Sequence, residues 1–248
     1  MKKKYQQRTY RNLVHAKRLK SFEVIVKETD LLVHACEDLA EITRELILQH
    51  RGVIEAYIKS CPEFLETLRP WHIQGPAPDI VREMARAGRK AGVGPMAAVA
   101  GALAEYVGMD LLVHSPEVII ENGGDIFLKT DDPVVIGVFA GKSPLSLQIG
   151  LRIDSNQGPK AVCTSSGTVG HSLSLGKADA VCIASDSCAL ADAVATAIGN
   201  MVRSKQDIQP AIEAAKKVEN IDGIAIIVGE DMGIWGAMEM VALRTKKG

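Results

Sequence analysis

One stretch constrains this chain more than any other. Residues 161–200 read AVCTSSGTVGHSLSLGKADAVCIASDSCALADAVATAIGN, and three chemical devices follow one another there with almost no spacer. Ala161, Val162 and Cys163 read as a short strand that passes into Thr164, Ser165, Ser166, Gly167 and Thr168, five small residues expected to form a hydroxyl-rich turn. Such a turn can aim backbone N–H groups and hydroxyls at an anion. His171 follows Gly170 and stands beside that turn in sequence, where an imidazole can serve as acid, base or phosphate contact near neutral pH. Asp192 and Thr196 then fall in the alanine-rich run 189–197. Such a composition favours helix, and a spacing of four puts both side chains on one face.

A carboxylate and a hydroxyl one turn apart suit a hard cation such as magnesium, which takes oxygen ligands and is commonly shared with substrate phosphates. The alternative is local: Asp192 solvates or caps its helix and Thr196 bonds back to its own turn. Upstream, the apolar run 118–120 leads into Glu121, Asn122, Gly123, Gly124 and Asp125. The glycines permit left-handed backbone that a side chain would block, so Asn122 and Asp125 can be held at strand ends beside a ligand, or can form a plain hairpin turn.

Taken together, TSSGTVGH, ADAVATA and ENGGD resemble the ApbE-like superfamily, whose best-known members are flavin transferases moving FMN from FAD onto a protein threonine. A subgroup known as an uncharacterised protein family is similar over most of the chain, sharing VGPMAAVAGALAE (93–105), the ENGGD turn and the whole TSSGTVGHSLSLGKADA run. The resemblance implies that Asp192 and Thr196 help hold magnesium on a diphosphate, that His171 sits near the transferred phosphate, and that FAD or FMN is among the ligands. After His171 the chain departs from the flavin transferases: Ser172, Leu173, Ser174, Leu175 and Gly176 stand where they carry aspartate–proline and threonine–glycine. The implied cation and phosphate site is therefore a firmer expectation than the transfer step.

Cysteine offers a second chemistry. Cys163, Cys182 and Cys188 all lie in the organising stretch, and Cys163 abuts the hydroxyl run. A reactive thiolate needs an accessible, electropositive setting, and the subgroup's link with sulfide assimilation into homocysteine implies a persulfide carrier, with Cys163 as the reactive residue. The competing reading is small core residues. A third reading is a ligand sensor or scaffold without turnover.

A net charge of -1 argues against a nucleic-acid binder, which needs clustered Lys and Arg, although the first twenty residues are locally basic. The start MKKKYQQR does not read as a signal peptide and no apolar run is long enough to span a bilayer, so the expected location is the cytoplasm, with no membrane partner. The five cysteines show no paired spacing and need not be oxidised. The expected partner is a small phosphorylated ligand, and the number of strand edges needing cover suggests a homodimer.

Along the rest of the chain, 22–26 and 31–35 read as a hairpin, 37–60 as an amphipathic helix ended by Cys61 and Pro62, and 62–70 as a short helix. The proline-rich run 71–78 reads as a loop in which Trp71 and His72 can stack on a planar ring or pack inward. Asp79 is expected to cap a helix, and another starts at Pro95, its N-terminus after Gly92 and Gly94 suited to an anion or to close helix packing. The runs 118–121, 125–129, 134–140 and 146–152 are expected to form one antiparallel meander. Helix is expected over 208–218 and paired strands at 224–228 and 237–243. The predicted class is α+β, one domain over 1–248 or two intimately packed halves, with helices on one face of the sheet; the resemblance narrows this to the ApbE-like fold, antiparallel sheets with packed helices, related to the T-fold.

Overall fold

The computed structural model describes residues 18–167 and 176–243. Its frame is an antiparallel sheet of eight strands in the order β1-β2-β3-β4-β7-β8-β9-β10. These are β1 (Lys20–Val26), β2 (Thr29–Ala35), β3 (Val118–Asn122), β4 (Asp125–Lys129), β7 (Lys160–Ser165), β8 (Ala180–Ser185), β9 (Ile221–Val228) and β10 (Asp231–Gly236). A smaller sheet lies across one face: β5 (Val134–Gly137), β6 (Ile149–Ile153) and β11 (Glu239–Ala242). The helices are α1 (Ala40–Ser60), α2 (Glu63–Glu66), α3 (Asp79–Ala91), α4 (Val99–Leu111), α5 (Cys188–Met201) and α6 (Ile208–Ala215).

Why the central strands are apolar throughout follows from this layering. Successive side chains of a strand point to opposite faces, and both faces of the large sheet are covered. In β3, Ile120 joins a core with Val107 and Leu111 of α4 and Val194 and Ile198 of α5. Its neighbour Ile119 points the other way, into a core with Val134, Ile136, Leu151 and Ile153 of the small sheet. A third cluster joins Ile80, Val81 and Met84 of α3 to Ala102 and Leu103 of α4 and Ala189 and Ala193 of α5, so α5 is packed on several sides.

Two glycines set how closely α4 can approach its neighbours. A Cβ on Gly108 would lie 2.2 Å from the Phe127 ring of β4, and one on Gly101 would lie 2.3 Å from the Cys188 carbonyl oxygen of α5. Seven residues apart, the two lie two turns apart along α4. Small residues in 93–105 thus serve packing, one of the two roles open to them in the sequence.

Several expectations need correction. The four strand-like runs do not form one meander: β3 and β4 pair within the large sheet, β5 and β6 pair in the small one, and β4 continues to β7. The run 134–140 stops being strand at Gly137, and the segment to β6 closes through Leu147 N–H on the Val138 carbonyl. The last two runs do not pair either. β9 takes β10, built on 231–236, while β11 crosses to β6. Asp79 is the first helical residue of α3, not its cap, and forms an ion pair with Arg82. Regular structure after Gly94 starts as a 3-10 turn, Pro95–Ala98, before α4. The hairpin β1–β2, the long helix ending at Cys61, the irregular run 71–78 and helix α5 stand as read from the sequence.

Candidate functional site

Polar side chains collect where β3, β4 and β7 end beneath α4 and α5. On β3, Asn122 faces the helices, as Ile120 does two residues earlier, and its Nδ2 donates to the Ala100 carbonyl at the start of α4 at 3.0 Å. Asp125 opposes Asn122 in the β3–β4 register and Cys163 in the β4–β7 register. Gly123 and Gly124, at φ 70° and 112°, form the turn between them in a region that favours glycine. Gly124 N–H donates to Glu121 Oε1 at 3.1 Å and its carbonyl accepts from Thr164 N–H at 3.2 Å. The ENGGD turn is thus a hairpin turn that also delivers two side chains to the helix-facing side.

Helix α5 crosses above this strip. Ser187 caps it, accepting from Leu190 N–H at 3.3 Å. Cys188 touches Cys163, Sγ to Sγ at 3.5 Å. One turn later Asp192 Oδ2 accepts the Gly101 N–H at 2.9 Å. At the far end Gly199 packs against Ser165, whose Oγ would lie 3.3 Å from a Cβ there. Positions 188, 192, 196 and 199 follow a helical stripe, so Thr196 shares the face of Asp192, between it and Gly199.

The electrostatics single out two acids. Burial raises Asp192 to about 7, against the help of N–H groups from Gly101 and Ala100. Asp125, only 8% exposed, is raised well above the carboxylate range, first by burial and then by the charge of Asp192; the Cys163 thiol and Thr164 N–H oppose the rise. Two desolvated carboxyls close enough to disfavour each other's charge are what a divalent cation would relieve. The donors are all oxygens, as a hard cation requires. Among the described residues no three His, Cys, Asp or Glu side chains form a ready-made cage, so a bound cation would also draw on the Thr196 hydroxyl and on oxygens supplied by a ligand.

The hydroxyl run is arranged differently from the expected turn. Thr164 and Ser165 belong to strand β7, and strand alternation sends them to opposite faces. Thr164 Oγ1 donates to Cys182 Sγ at 3.3 Å, away from the carboxyls, whereas Ser165 faces α5. Ser166 and Gly167 follow the strand, with Gly167 N–H on the Ala178 carbonyl at 2.9 Å. Thr168 and His171 lie outside the described residues. Both described flanks of that segment abut α5 or each other: a Cβ on Gly176 would lie 1.8 Å from the Gly199 carbonyl oxygen, and one on Gly167 would lie 2.3 Å from the Gly176 oxygen.

Cys163 does not have the accessible, electropositive setting expected of a reactive thiolate. It is fully buried, and burial, with Cys188 and the two carboxyls beside it, holds its thiol well above the ordinary range. Cys182 and Cys188 are likewise buried and pushed up to about 11. His72 is exposed, while Trp71 packs edge-on against Phe64 with ring centroids 6.1 Å apart; neither joins the strip. Sequence reading overlooked Glu105, whose carboxylate meets the first turn of α5. The signal was present: Glu105 is the sole charged residue between Lys90 and Asp110.

Comparisons with known proteins agree with this architecture. A family model described as AbpE bacteria matches residues 11–234. A UPF0280 protein of Methanococcus aeolicus is 39% identical over 231 residues, covering 91% of this chain and 93% of that protein. Another, from Methanocaldococcus jannaschii, is 41% identical over 230 residues, 90% and 93% of the two chains. Among solved structures, the flavinyl transferase ApbE of Pseudomonas stutzeri superposes with a TM-score of 0.56 at 14% identity, over 88% of this chain and 94% of its own. The ApbE protein of Thermotoga maritima gives 0.55 at 14% identity, over 87% and 96%.

Proposed function

The chain belongs to the AbpE bacteria family and has the ApbE-like fold, and on that premise we propose that it binds a phosphorylated flavin nucleotide, FAD in the first instance, through a divalent cation. The observation that carries the reading is the meeting of Asp192 and Asp125, from separate segments, at a helix N-terminus. Solved proteins of this fold include flavin transferases of Vibrio cholerae and Pseudomonas stutzeri.

In this reading Asp192 and Thr196 hold magnesium from α5, and Asp125 faces them across the strip. Gly101 N–H keeps the Asp192 carboxylate turned toward the start of α4, and Asn122 ties that start to β3 through the Ala100 carbonyl. The cation, when bound, supplies neutralisation of diphosphate charge and polarisation of a phosphoryl oxygen. Ser165, Ser166 and Gly167 meet the phosphates; Thr168 supplies a further hydroxyl to them, and His171 moves a proton or contacts phosphate. Flavinyl or phosphoryl transfer is the reaction this set would serve, in the cytoplasm.

Isothermal titration of FAD, FMN and ATP with and without magnesium tests the reading. Magnesium-dependent FAD binding that Asp192→Ala weakens at least about 100-fold, roughly 2.7 kcal/mol, is the expected result. Equal binding by parent and Asp192→Ala overturns it. Transfer is read separately, by mass shift of a threonine-containing acceptor peptide.

A further inference from the structure

Helices α4 and α5 hold each other by their N-termini. The first turn of a helix presents N–H groups with no acceptor inside it, and carboxylates are favoured there. At the start of α4, Gly101 N–H goes to Asp192 of α5 at 2.9 Å. At the start of α5, Cys188 N–H and Ala189 N–H go to Glu105 Oε2 of α4 at 2.8 and 3.1 Å. The contacts 101 to 192 and 105 to 188 are four residues apart on both helices and run in opposite senses, so each helix supplies the acid that completes the other. Ser187 strengthens the second contact, its Oγ lying 3.3 Å from Glu105 Oε2 and 3.4 Å from Glu83 Oε1 of α3.

This grip leaves little freedom. The missing Cβ of Gly101 lets the helices close to contact at the Cys188 carbonyl and Asp192 Cβ, which fixes their separation. Two polar contacts one turn apart fix rotation and sliding as well. A slide by one residue would turn Asp192 and Thr196 by about 100° around α5, off the strip that Asp125 occupies.

We propose that Glu105 is a positioning residue for the cation site: its carboxylate locks the first turn of α5 in the register that presents Asp192 and Thr196 to the cation. Glu105 donates nothing to the site itself and acts through α5. The inference rests on the reading of Asp192 and Thr196 as cation donors given above.

The test uses the full chain and Mn2+ as the probe, followed by isothermal titration and by electron paramagnetic resonance, with thermal melts alongside. Glu105→Ala is expected to bind Mn2+ about 10-fold more weakly and to broaden the spectrum of the bound ion. Glu105→Gln, whose amide oxygen still accepts the two N–H groups, is expected to return affinity to within about 3-fold of the parent. Should Glu105→Ala fail to fold, Glu105→Asp replaces it, since the same charge one methylene short of Cys188 N–H predicts the same weakening. Parent-like Mn2+ binding in the folded Ala or Asp variant overturns the positioning role alone, and so does a Gln variant as weak as the Ala variant. A parent that takes up no Mn2+, or an Asp192→Ala variant that takes it up equally well, overturns the cation site and the role of Glu105 with it.

Discussion

Glu105 and Asp192 stand a turn apart on the same helix pair, and each receives the N-terminus of the other's helix, yet the protein completes them differently. Glu105 has two backbone N–H donors and the Ser187 hydroxyl. Asp192 has backbone N–H help from Gly101 and Ala100, and across from it stands a second buried acid, Asp125. Burial raises both, and Glu83 adds to the rise at Glu105. The difference lies in the neighbours, because Glu83 is itself paired with Arg86, whereas Asp125 is a buried acid that the charge of Asp192 pushes further up. A compensated carboxylate holds structure, whereas an overcharged pair is a place for a proton or a cation.

The comparison breaks most easily at Gly101, whose N–H makes the Asp192 contact and whose missing side chain lets α4 close on Cys188, where the Glu105 contact is made. Gly101→Val puts a branched side chain where even a Cβ meets the Cys188 carbonyl oxygen at 2.3 Å. The helices must part, at a cost of about 2–3 kcal/mol for an overpacked site. In a chain this size a drop in Tm of roughly 8 °C follows. Magnesium-dependent binding should be lost together with it. A variant that melts with the parent and binds cation as before would show that the two carboxylates do not depend on this close approach.

How far the sequence disclosed this arrangement depends on range. Local devices were legible: the glycines of ENGGD, the helix carrying Asp192 and Thr196, the apolar strands of a sheet covered on both faces. Pairing was not. Nothing in 134–140 or 237–243 says that these strands leave the large sheet for the small one, because period-two alternation records burial and not the identity of the neighbour. Within the site, Thr164 illustrates the same limit. Five hydroxyl-bearing and small residues in a row suggest a turn, but two of them continue β7, and alternation turns Thr164 toward Cys182. Glu105 was legible as an oddity, a lone charge among small residues; its partner, 83 residues away, was not.

Asp192→Asn sharpens the contrast from the other side. Removing one charge of the pair should stabilise the cation-free chain at pH 8, by about 1–2 kcal/mol or roughly 5 °C in Tm, while abolishing the stabilisation that magnesium gives the parent. If the Asn variant melts lower than the cation-free parent at pH 8, then Asp192 is as well compensated as Glu105 and the distinction fails.

The pH profile of stability tests the same point without a mutation. Asp192 holds its proton up to about 7 in the folded chain and releases it near the ordinary aspartate value of 3.8 when unfolded. Below that lower value both states are protonated and the group is neutral to stability. Between about 4 and 7 the folded state binds the proton and the unfolded state does not, so stability falls as pH rises, and above 7 the whole penalty is present. Asp125 and Glu105, also raised, act in the same direction. The cation-free chain should therefore lose about 4 °C in Tm between pH 5 and pH 8, and saturating magnesium should flatten the fall. A Tm that rises over this range in the absence of cation contradicts the burial of these acids as uncompensated charges.

The smallest effect concerns the outer layer behind Glu105. Arg86 pairs with Glu83 at 2.8 Å on α3, and Glu83 reaches Ser187 at 3.4 Å, so a chain of contacts leads from the surface to the first turn of α5. Arg86 is 56% exposed, and an exposed ion pair three residues apart on a helix contributes at most about 0.5 kcal/mol. Arg86→Ala should shift Tm by no more than about 2 °C and leave Mn2+ affinity unchanged. The backbone N–H groups that Glu105 accepts do not depend on Arg86, so the register of α5 survives its loss. An Arg86→Ala variant that weakens Mn2+ as strongly as Glu105→Ala would move the positioning role outward, from one carboxylate to a surface-linked network whose strength falls with salt.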